Sequence, residues 1–258
     1  MNQHPTPYPD INQTLGSLHE GASTILGTQL TGMYLYGSLS SGDFDPGSSD
    51  IDFVVITESE LTQPTIDLLD KMHADLWNSG QKWASKLEGA YVPKDLIRRH
   101  KSNHRPMPIV NEQSFYTGQI GSDWIIQRHI IRECGICISG PDPKTLIDPV
   151  SADDIRSAVM GLLTEWWFPM LNTPEWLAQR GSEYHAYAII SMCRALHAME
   201  HGIIVSKPAA AAWASNALGQ PWNHVITRAL KTQTENNEGL LAEALEFIQL
   251  TRDRTTSK

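Results

Sequence analysis

Two aspartates, Asp50 and Asp52, open an apolar stretch over residues 51–56 that has the composition of a buried β-strand. Side chains alternate between the two faces of a strand, so residues at i and i+2 point to the same side. Carboxylate oxygens are suitable ligands for hard divalent cations such as Mg²⁺. Two carboxylates at the start of a buried strand are costly without a compensating cation, which favours a metal site over an ordinary acidic loop. The pair therefore predicts a site for one or two metal ions.

A glycine–serine turn at Gly37 and Ser38 precedes this strand, and another serine, Ser49, directly precedes the first aspartate. Backbone N–H groups exposed at such a turn, together with a hydroxyl group, can hold phosphate oxygens. A phosphate-binding turn next to a carboxylate-bound metal indicates a site that transfers a nucleotide.

A third carboxylate, Glu88, lies inside a strand-like stretch over residues 86–92. Metal-assisted nucleotidyl transfer needs an attacking hydroxyl that is aligned with the α-phosphorus and relieved of its proton. Glu88 is a candidate for a third metal ligand or for the general base. It is equally consistent with a charge on an edge strand that discourages aggregation.

The charge balance bears on the choice of partners. The 258 residues include 29 acidic and 20 basic side chains, which gives a net charge of −9. Such a protein is not expected to bind nucleic acid or an anionic membrane surface non-specifically. An acidic cleft attracts a cationic small molecule instead.

The cysteines and the apolar segments predict a cytoplasmic protein. Cys134, Cys137 and Cys193 form no paired disulfide framework, which fits a reducing compartment. The C-x-x-C spacing of the first two has no second pair that would complete a zinc site. Because the chain begins without a signal-peptide pattern and has no apolar run of 18 residues, we expect no membrane contact. A monomer is also expected.

The element pattern predicts an α+β protein with two domains. Alternating apolar residues predict strands, and helical spacing predicts helices, in the first part of the chain: strands over 30–36, 51–56, 86–92 and 135–139, and helices over 11–27, 59–80 and 123–134. The segment 98–122 has no clean periodicity and is expected to be loop or edge structure. After residue 149 the pattern is almost purely helical, over 151–168, 182–201, 208–217 and 222–253. We therefore expect a mixed-sheet domain over 1–149 and an all-α bundle over 150–258.

The segment from Tyr36-Gly-Ser to Ser49-Asp-Ile-Asp resembles the nucleotidyltransferase motif of the DNA polymerase β superfamily. Later landmarks make most of the chain similar to the aminoglycoside 3″/9 adenylyltransferases, the streptomycin and spectinomycin resistance enzymes. They follow in order along the chain: Leu87-Glu88, Gly140-Pro141, Asp148-Pro149-Val150, a helix with Arg194, Gly202-Ile203, Ser206-Lys207 and Ala212-Trp213-Ala214. The resemblance implies a polymerase β-like nucleotidyltransferase domain followed by a helical domain.

The resemblance also implies roles for individual residues. Asp50 and Asp52 would hold Mg²⁺, with Glu88 as the base for the sugar hydroxyl. The ATP contacts would come from both domains: Gly37, Ser38, Ser49, Asp123, Arg194 and Lys207. Guanidinium and ammonium groups are suitable partners for triphosphate oxygens. Without the resemblance, Arg194 is read more simply as a surface ion-pair residue and Lys207 as a lysine at a helix entry.

The sequence departs from the family pattern where the aminoglycoside is held. Streptomycin-modifying members use a tryptophan from the first domain, whereas the stretch 112–118 offers only Phe115 and Tyr116. The segment 165–176 keeps an acidic and aromatic character, but an insertion around 177–182 follows it. Glu175 and Glu183 are candidates for the acidic contacts, with Tyr184 where an aspartate is expected.

These observations together predict transfer of AMP from ATP, with Mg²⁺ ions (two are expected), to a hydroxyl of streptomycin or spectinomycin. The departures at the acceptor side leave two alternatives open. One is the same chemistry directed at a protein or another small molecule. The other is a domain that binds nucleotide as a sensor and catalyses nothing.

Overall fold

The computed structural model describes residues 2, 4–99, 105–119, 121, 123–232 and 239–256. The chain divides into two units, Met1–Pro149 and Val150–Lys258, which are called the N-terminal and C-terminal units below. Within the described ranges, no helix combines the length and the apolar character needed to cross a lipid bilayer.

The N-terminal unit is built on a six-stranded mixed sheet. Its strands are β1 Leu30–Leu35, β2 Ile51–Thr57, β3 Leu87–Pro93, β4 Met107–Asn111, β5 Ser114–Gly118 and β6 Ile136–Ser139. Their spatial order is β5-β4-β3-β2-β1-β6. Strands β2 and β3 run parallel, and every other neighbouring pair is antiparallel. The mixed sheet predicted from the sequence is confirmed.

Helices cover both faces of this sheet. They are α1 Pro9–Leu26, α2 Gly37–Ser41, α3 Gln63–Trp77, α4 Lys94–Arg98, α5 Asp123–Cys134 and α6 Pro143–Leu146. In the central strands β1, β2 and β3, odd-numbered residues such as Phe53 pack with α1 and α3, while even-numbered ones such as Val54 and Ala90 pack with α4, α5 and α6. Since Asp52 and Glu88 have the same parity as Val54 and Ala90, both lie on the α5 side of the sheet.

The segment without periodicity, 98–122, contains a hairpin. Strands β4 and β5 pair from Met107–Gly118 to Asn111–Ser114, and β5 forms one edge of the sheet. The expectation of edge structure is therefore confirmed for part of this segment, while residues 100–104, 120 and 122 lie outside the described ranges. The side chains of β5 are mostly exposed, so the strand lacks the apolar alternation by which strands are recognised in a sequence.

The C-terminal unit is helical in its described part, as predicted. Its helices are α7 Ala152–Leu162, α8 Pro174–Ala178, α9 Ser182–His201, α10 Lys207–Leu218, α11 Trp222–Thr232 and α12 Leu241–Thr256. Helix α9 is central and packs against α7, α10, α11 and α12. Its buried alanines, including Ala186 and Ala188, allow close approach of these neighbours. Ser151 and Asp154 form a capping box that begins α7.

Two predicted helices differ from the structure. The helix predicted over 151–168 is α-helical only to Leu162 and continues as a π turn over Leu163–Trp167 and a 3₁₀ turn over Phe168–Leu171. Pro169 lacks an N–H group and cannot continue an α-helix, which accounts for the irregular end. The stretch 222–253 contains α11 and α12, and residues 233–238 between them lie outside the described ranges.

Candidate active site

Three of the predicted carboxylates share one face of the sheet in the N-terminal unit. Asp52 of β2 and Glu88 of β3 are direct partners in the parallel register, so their Cα atoms are about 4.8 Å apart. Asp50 directly precedes β2 and has the same parity as Asp52. The parallel pairing therefore brings together two segments that are 36 residues apart in the chain.

The predicted phosphate turn lies against one of these carboxylates. Gly37 has a φ of +63°, and a Cβ atom added to it would lie 1.9 Å from Oδ2 of Asp52. The preceding N–H of Tyr36 donates to the carbonyl of Asp52 at 3.1 Å. Ser38 follows as the second residue of the short helix α2. A glycine is required here because only its backbone can approach the carboxylate so closely.

The loop before Asp50 is organised by Asp45. The Asp45 carboxylate accepts hydrogen bonds from the N–H of Gly47 at 2.9 Å and from the hydroxyl of Ser48 at 2.9 Å. These bonds hold the pKa of Asp45 below its ordinary value. The hydroxyl oxygen of Ser49 accepts from the N–H of Asp45 at 3.0 Å. Ser49 is thus fixed by its own loop next to Asp50.

Tyr36 lies near the carboxylates of Asp52, Glu88 and Asp123. The tyrosine is buried, and its pKa is raised well above the ordinary value, first by burial and then by the negative charges of Asp52, Glu88 and Asp123. Asp123 is the first residue of α5. A negative charge at this position interacts favourably with the positive end of the helix dipole. The structure therefore places Asp123, predicted from the sequence as an ATP contact, near the acidic face.

Lys86 and Glu112 add charges that the sequence had not indicated. The Nζ atom of Lys86 lies 3.1 Å from Oδ1 of Asp50 and 3.3 Å from Oε1 of Glu112. The pKa of Lys86 is raised mainly by its contact with Asp50. Because Lys86 lies two residues before Glu88, strand alternation was the signal that could have placed it on the same face.

The pKa of Glu88 is raised above its ordinary value. The largest cause is burial, followed by the negative charges of Asp50 and Glu112, while Lys86 opposes the shift. A carboxylate with a raised pKa is a stronger base once deprotonated. This property suits a group that accepts a proton from a hydroxyl.

The donor set fits a magnesium ion. Among the described residues, no group of three or more His, Cys, Asp or Glu side chains is arranged to hold a metal. Mg²⁺ is usually bound by only one or two carboxylates, with substrate phosphates and water completing its shell. Asp50 and Asp52 meet that requirement. The buried Oδ1 atom of Asp50 makes no well-aligned hydrogen bond in the described part of the chain, and the Nζ atom of Lys86 lies 3.1 Å from it. The role of Glu88 as a third ligand stays a prediction.

The remaining predicted residues belong to the C-terminal unit. Arg194 is a half-buried residue of α9, and Lys207 is the exposed first residue of α10. The Nζ atom of Lys207 lies 5.8 Å from the centre of the Tyr187 ring. Glu175 lies in α8 and Glu183 in the first turn of α9, and both are exposed.

Aromatic side chains accumulate around Glu175 and Glu183. The rings of neighbouring members lie 5.5–6.2 Å apart: Trp166, Trp167, Trp176, Tyr184 and Tyr187. The guanidinium of Arg180 lies 4.3 Å from the centre of the Trp176 ring. Glu183, Tyr184 and Tyr187 also line an open groove of about 420 Å³. The sequence had pointed to the acidic and tryptophan residues of this region, but not to Arg180 or Tyr187.

Two family models match the chain, one in each half. Residues 20–106 match the nucleotidyltransferase domain, and residues 145–256 match the aminoglycoside adenylyltransferase C-terminal domain. The first match contains the Gly37 turn together with Asp50, Asp52 and Glu88. The second contains Arg194, Lys207 and the aromatic region around Glu175.

Curated relatives extend over nearly the whole chain. An aminoglycoside (3″)(9) adenylyltransferase from Escherichia coli is 26% identical over 232 residues, which are 85% of this chain and 84% of that protein. A protein of the same name from Klebsiella pneumoniae is 26% identical over 242 residues, which are 88% of each chain.

A solved structure has the same fold. It is the crystal structure of the spectinomycin adenyltransferase AAD(9) from Enterococcus faecialis with ATP and spectinomycin. The two structures align with a TM-score of 0.74 at 18% sequence identity, covering 95% of this chain and 98% of that one. These comparisons confirm the resemblance predicted from the sequence: the chain is an enzyme of the nucleotidyltransferase type, similar along most of its length to the aminoglycoside 3″/9 adenylyltransferases.

Proposed function

We propose that this enzyme transfers AMP from ATP to a hydroxyl of streptomycin or spectinomycin and releases pyrophosphate. The observation that carries this proposal is the shared face of Asp50, Asp52 and Glu88, against which the Gly37 turn packs. The names of the relatives and of the structural neighbour support the choice of acceptor.

The donor half of the reaction is assigned to the residues predicted from the sequence. Asp50 and Asp52 hold Mg²⁺, which on binding supplies neutralising charge to the triphosphate. Ser38 and Ser49 contact phosphate oxygens together with the Gly37 backbone, and the further ATP contacts are Asp123, Arg194 and Lys207. The exposed Lys207 and the half-buried Arg194 are the cations suited to phosphate.

Glu88 acts on the acceptor. Its carboxylate takes the proton of the attacking hydroxyl as the oxygen forms a bond to the α-phosphorus. The bond from that phosphorus to the pyrophosphate oxygen breaks, and pyrophosphate leaves. The raised pKa of Glu88 supports this role, since it makes the carboxylate a better proton acceptor.

The acceptor half rests on the C-terminal unit. Glu183 lines the groove with Tyr184 and Tyr187, and the exposed Glu175 directly precedes Trp176. Negative charge next to aromatic side chains suits a cationic sugar. Arg180, however, already occupies one face of Trp176. This intramolecular cation favours a second candidate, the same chemistry directed at another small molecule or a protein hydroxyl.

The unpaired thiols of Cys134, Cys137 and Cys193 are consistent with action in the cytoplasm.

A labelled-transfer assay tests the proposal. The protein is incubated with Mg²⁺ and ATP labelled at the α-phosphate, with streptomycin and spectinomycin supplied separately, and product and pyrophosphate are both measured. We expect transfer to at least one of the two drugs and none with Asp52→Ala. Transfer to a protein or another small molecule alone would support the second candidate, and no pyrophosphate with any acceptor would support the sensor.

Glu88→Gln separates chemistry from binding. The amide keeps the size of the side chain but cannot accept the proton, so kcat is expected to fall by about 10²- to 10⁴-fold. Affinity for ATP, measured by calorimetry, is expected to stay within about threefold of wild type. Retained turnover in this variant would remove Glu88 from the role of base.

A further inference from the structure

We propose that Lys86 is an intramolecular cation that holds Asp50 in the metal-free enzyme and competes with the divalent metal for this carboxylate. The inference rests on the proposed role of Asp50 and Asp52 as metal ligands. Lys86 lowers the affinity of the site for the metal ion alone. The metal ion therefore binds more favourably together with the ATP phosphates than without them.

The position of Lys86 follows from the parallel pairing of β2 and β3. Ile51 and Leu87 are register partners, and Asp50 and Lys86 each directly precede one of them. The two side chains therefore emerge from adjacent chain segments at the same end of the sheet. The distance of 3.1 Å between Nζ of Lys86 and Oδ1 of Asp50 is the result.

The contact compensates a carboxylate oxygen that is out of reach of solvent. Oδ1 of Asp50 is buried and has no aligned hydrogen-bond donor in the described ranges, so its contact with Lys86 is an ion pair between charges. A carboxylate oxygen in this position is unfavourable without a cation nearby. Either the lysine ammonium or a metal ion can meet this need. The two cations repel each other when both lie against this oxygen, so the ammonium opposes binding of the metal.

Glu112 offers Lys86 an alternative partner. It lies in the turn of the β4–β5 hairpin with a φ of +52°, and its Oε1 atom is 3.3 Å from Nζ of Lys86. Lys86 can therefore give up Asp50 without losing all of its ion pairing. The side chain of Lys86 is 45% exposed, which leaves room for such a shift.

The test measures metal binding directly in the absence of ATP and acceptor. Mn²⁺ serves as the probe, with free Mn²⁺ quantified by electron paramagnetic resonance. Lys86→Met removes the cation and keeps most of the apolar side chain. We expect Mn²⁺ to bind about three- to tenfold more tightly to this variant, because a partly exposed ion pair contributes a free energy of that size. Lys86→Arg keeps a cation and is expected to stay within about twofold of wild type.

Lys94→Met is the matched control for net charge. Lys94 pairs with Glu58 and follows the opposite end of β3, roughly 20 Å along the strand. At that distance its charge is screened by physiological salt, where the Debye length is about 8 Å. The loss of the Lys94 charge is therefore expected to change Mn²⁺ affinity by less than about twofold. An equal gain of Mn²⁺ affinity in Lys86→Met and Lys94→Met would overturn the proposal.

Glu112→Gln keeps the inference testable if Lys86→Met fails to fold. Removing the alternative partner leaves Lys86 on Asp50, so Mn²⁺ is expected to bind more weakly. If the lysine is the competitor, this loss must shrink when Lys86 is replaced by glutamine, which removes the cation. Unchanged affinity in Lys86→Met overturns the role of Lys86 while leaving the metal site standing. Asp52→Ala is the reference without a metal site. If neither the wild type nor any variant binds Mn²⁺ better than this reference, both the metal site and the role of Lys86 are overturned. Failed drug transfer with intact Mn²⁺ binding contradicts only the proposed acceptor.

Discussion

At the scale of single residues, the site depends on a glycine and a carboxylate that nearly touch. An added Cβ at Gly37 would lie 1.9 Å from Oδ2 of Asp52, a separation that atoms do not tolerate. The residue also has a positive φ of 63°, which a side chain disfavours. Gly42 has a positive φ of 81° too, but an added Cβ there meets nothing within 4 Å. Comparing a substitution at Gly37 with one at Gly42 therefore distinguishes the effect of backbone strain from the effect of contact with Asp52.

We expect Gly37→Ala to reduce kcat/KM by at least about 100-fold because the methyl group displaces the Asp52 carboxylate. Gly42→Ala introduces left-handed backbone strain of about 1 kcal/mol without that displacement, so its activity is expected to remain within about threefold of wild type. Steady-state kinetics and thermal unfolding of both variants check this. Equal activity losses in the two would show that the Gly37 contact is unimportant.

At the scale of elements, helix α3 is joined to strand β3 by a buried polar contact. His73 of α3 is fully buried, and its Nε2 atom lies 2.9 Å from the hydroxyl of Tyr91. The rings of Phe53 and Phe115 enclose it. Burial lowers the pKa of His73 to about 3, since an imidazolium ion is poorly solvated there. The helix is thus held to the strand that carries Glu88 by a neutral histidine.

This burial predicts a pH-dependent stability of the N-terminal unit. Between its ordinary pKa of 6.5 and about 3, His73 binds a proton in the unfolded chain but not in the folded one. The free energy of unfolding therefore falls as the pH drops below 6.5, with a limiting contribution of about 1.4 kcal/mol per pH unit. His73→Gln removes this contribution.

Hydrogen exchange of the β3 amides, corrected for intrinsic rates, measures the free energy of opening at pH 7.5, 6 and 5. The wild type is expected to lose stability more steeply than His73→Gln below pH 6.5, and the two slopes are expected to be the same above it. Parallel slopes over the whole range would mean that His73 is protonated in the folded state.

At the scale of the whole molecule, the excess of negative charge bears on the acceptor. The chain has nine more acidic than basic side chains. Glu175 and Glu183 are exposed in the C-terminal unit, and Glu183 lines the groove with Tyr184 and Tyr187. Exposed charges attract a cation over a distance limited by salt screening. Binding of a cationic acceptor should then depend on ionic strength.

We expect the KM for the acceptor to rise several-fold between about 50 and 300 mM NaCl, because the Debye length shortens over this range. Glu183→Gln is expected to weaken that dependence. Glu20→Gln on the exposed surface of α1 removes the same charge elsewhere and is expected to leave the dependence unchanged. Identical salt slopes for wild type and Glu183→Gln would exclude Glu183 from acceptor binding.

Much of the N-terminal fold could be predicted because its central strands have strong local patterns. β1, β2 and β3 are alternating or continuously apolar over several residues. Asp50 directly precedes β2, and Asp52 is its second residue. The edge hairpin could not be predicted as strands, since β5 exposes most of its side chains and its pairing is set by β4. The irregular turns over Leu163–Leu171 were likewise missed, because a helical apolar pattern continues through them.

The sequence by itself determined which residues bear the chemistry and, from their spacing, that Asp50 and Asp52 point the same way. Tertiary structure alone decided that Glu88 is the register partner of Asp52, that Gly37 packs on this aspartate and that Lys86 pairs with Asp50. The physical reason is that alternation along a strand is a local property of the backbone. Register and contacts between distant segments arise only when the sheet assembles and its two faces are buried.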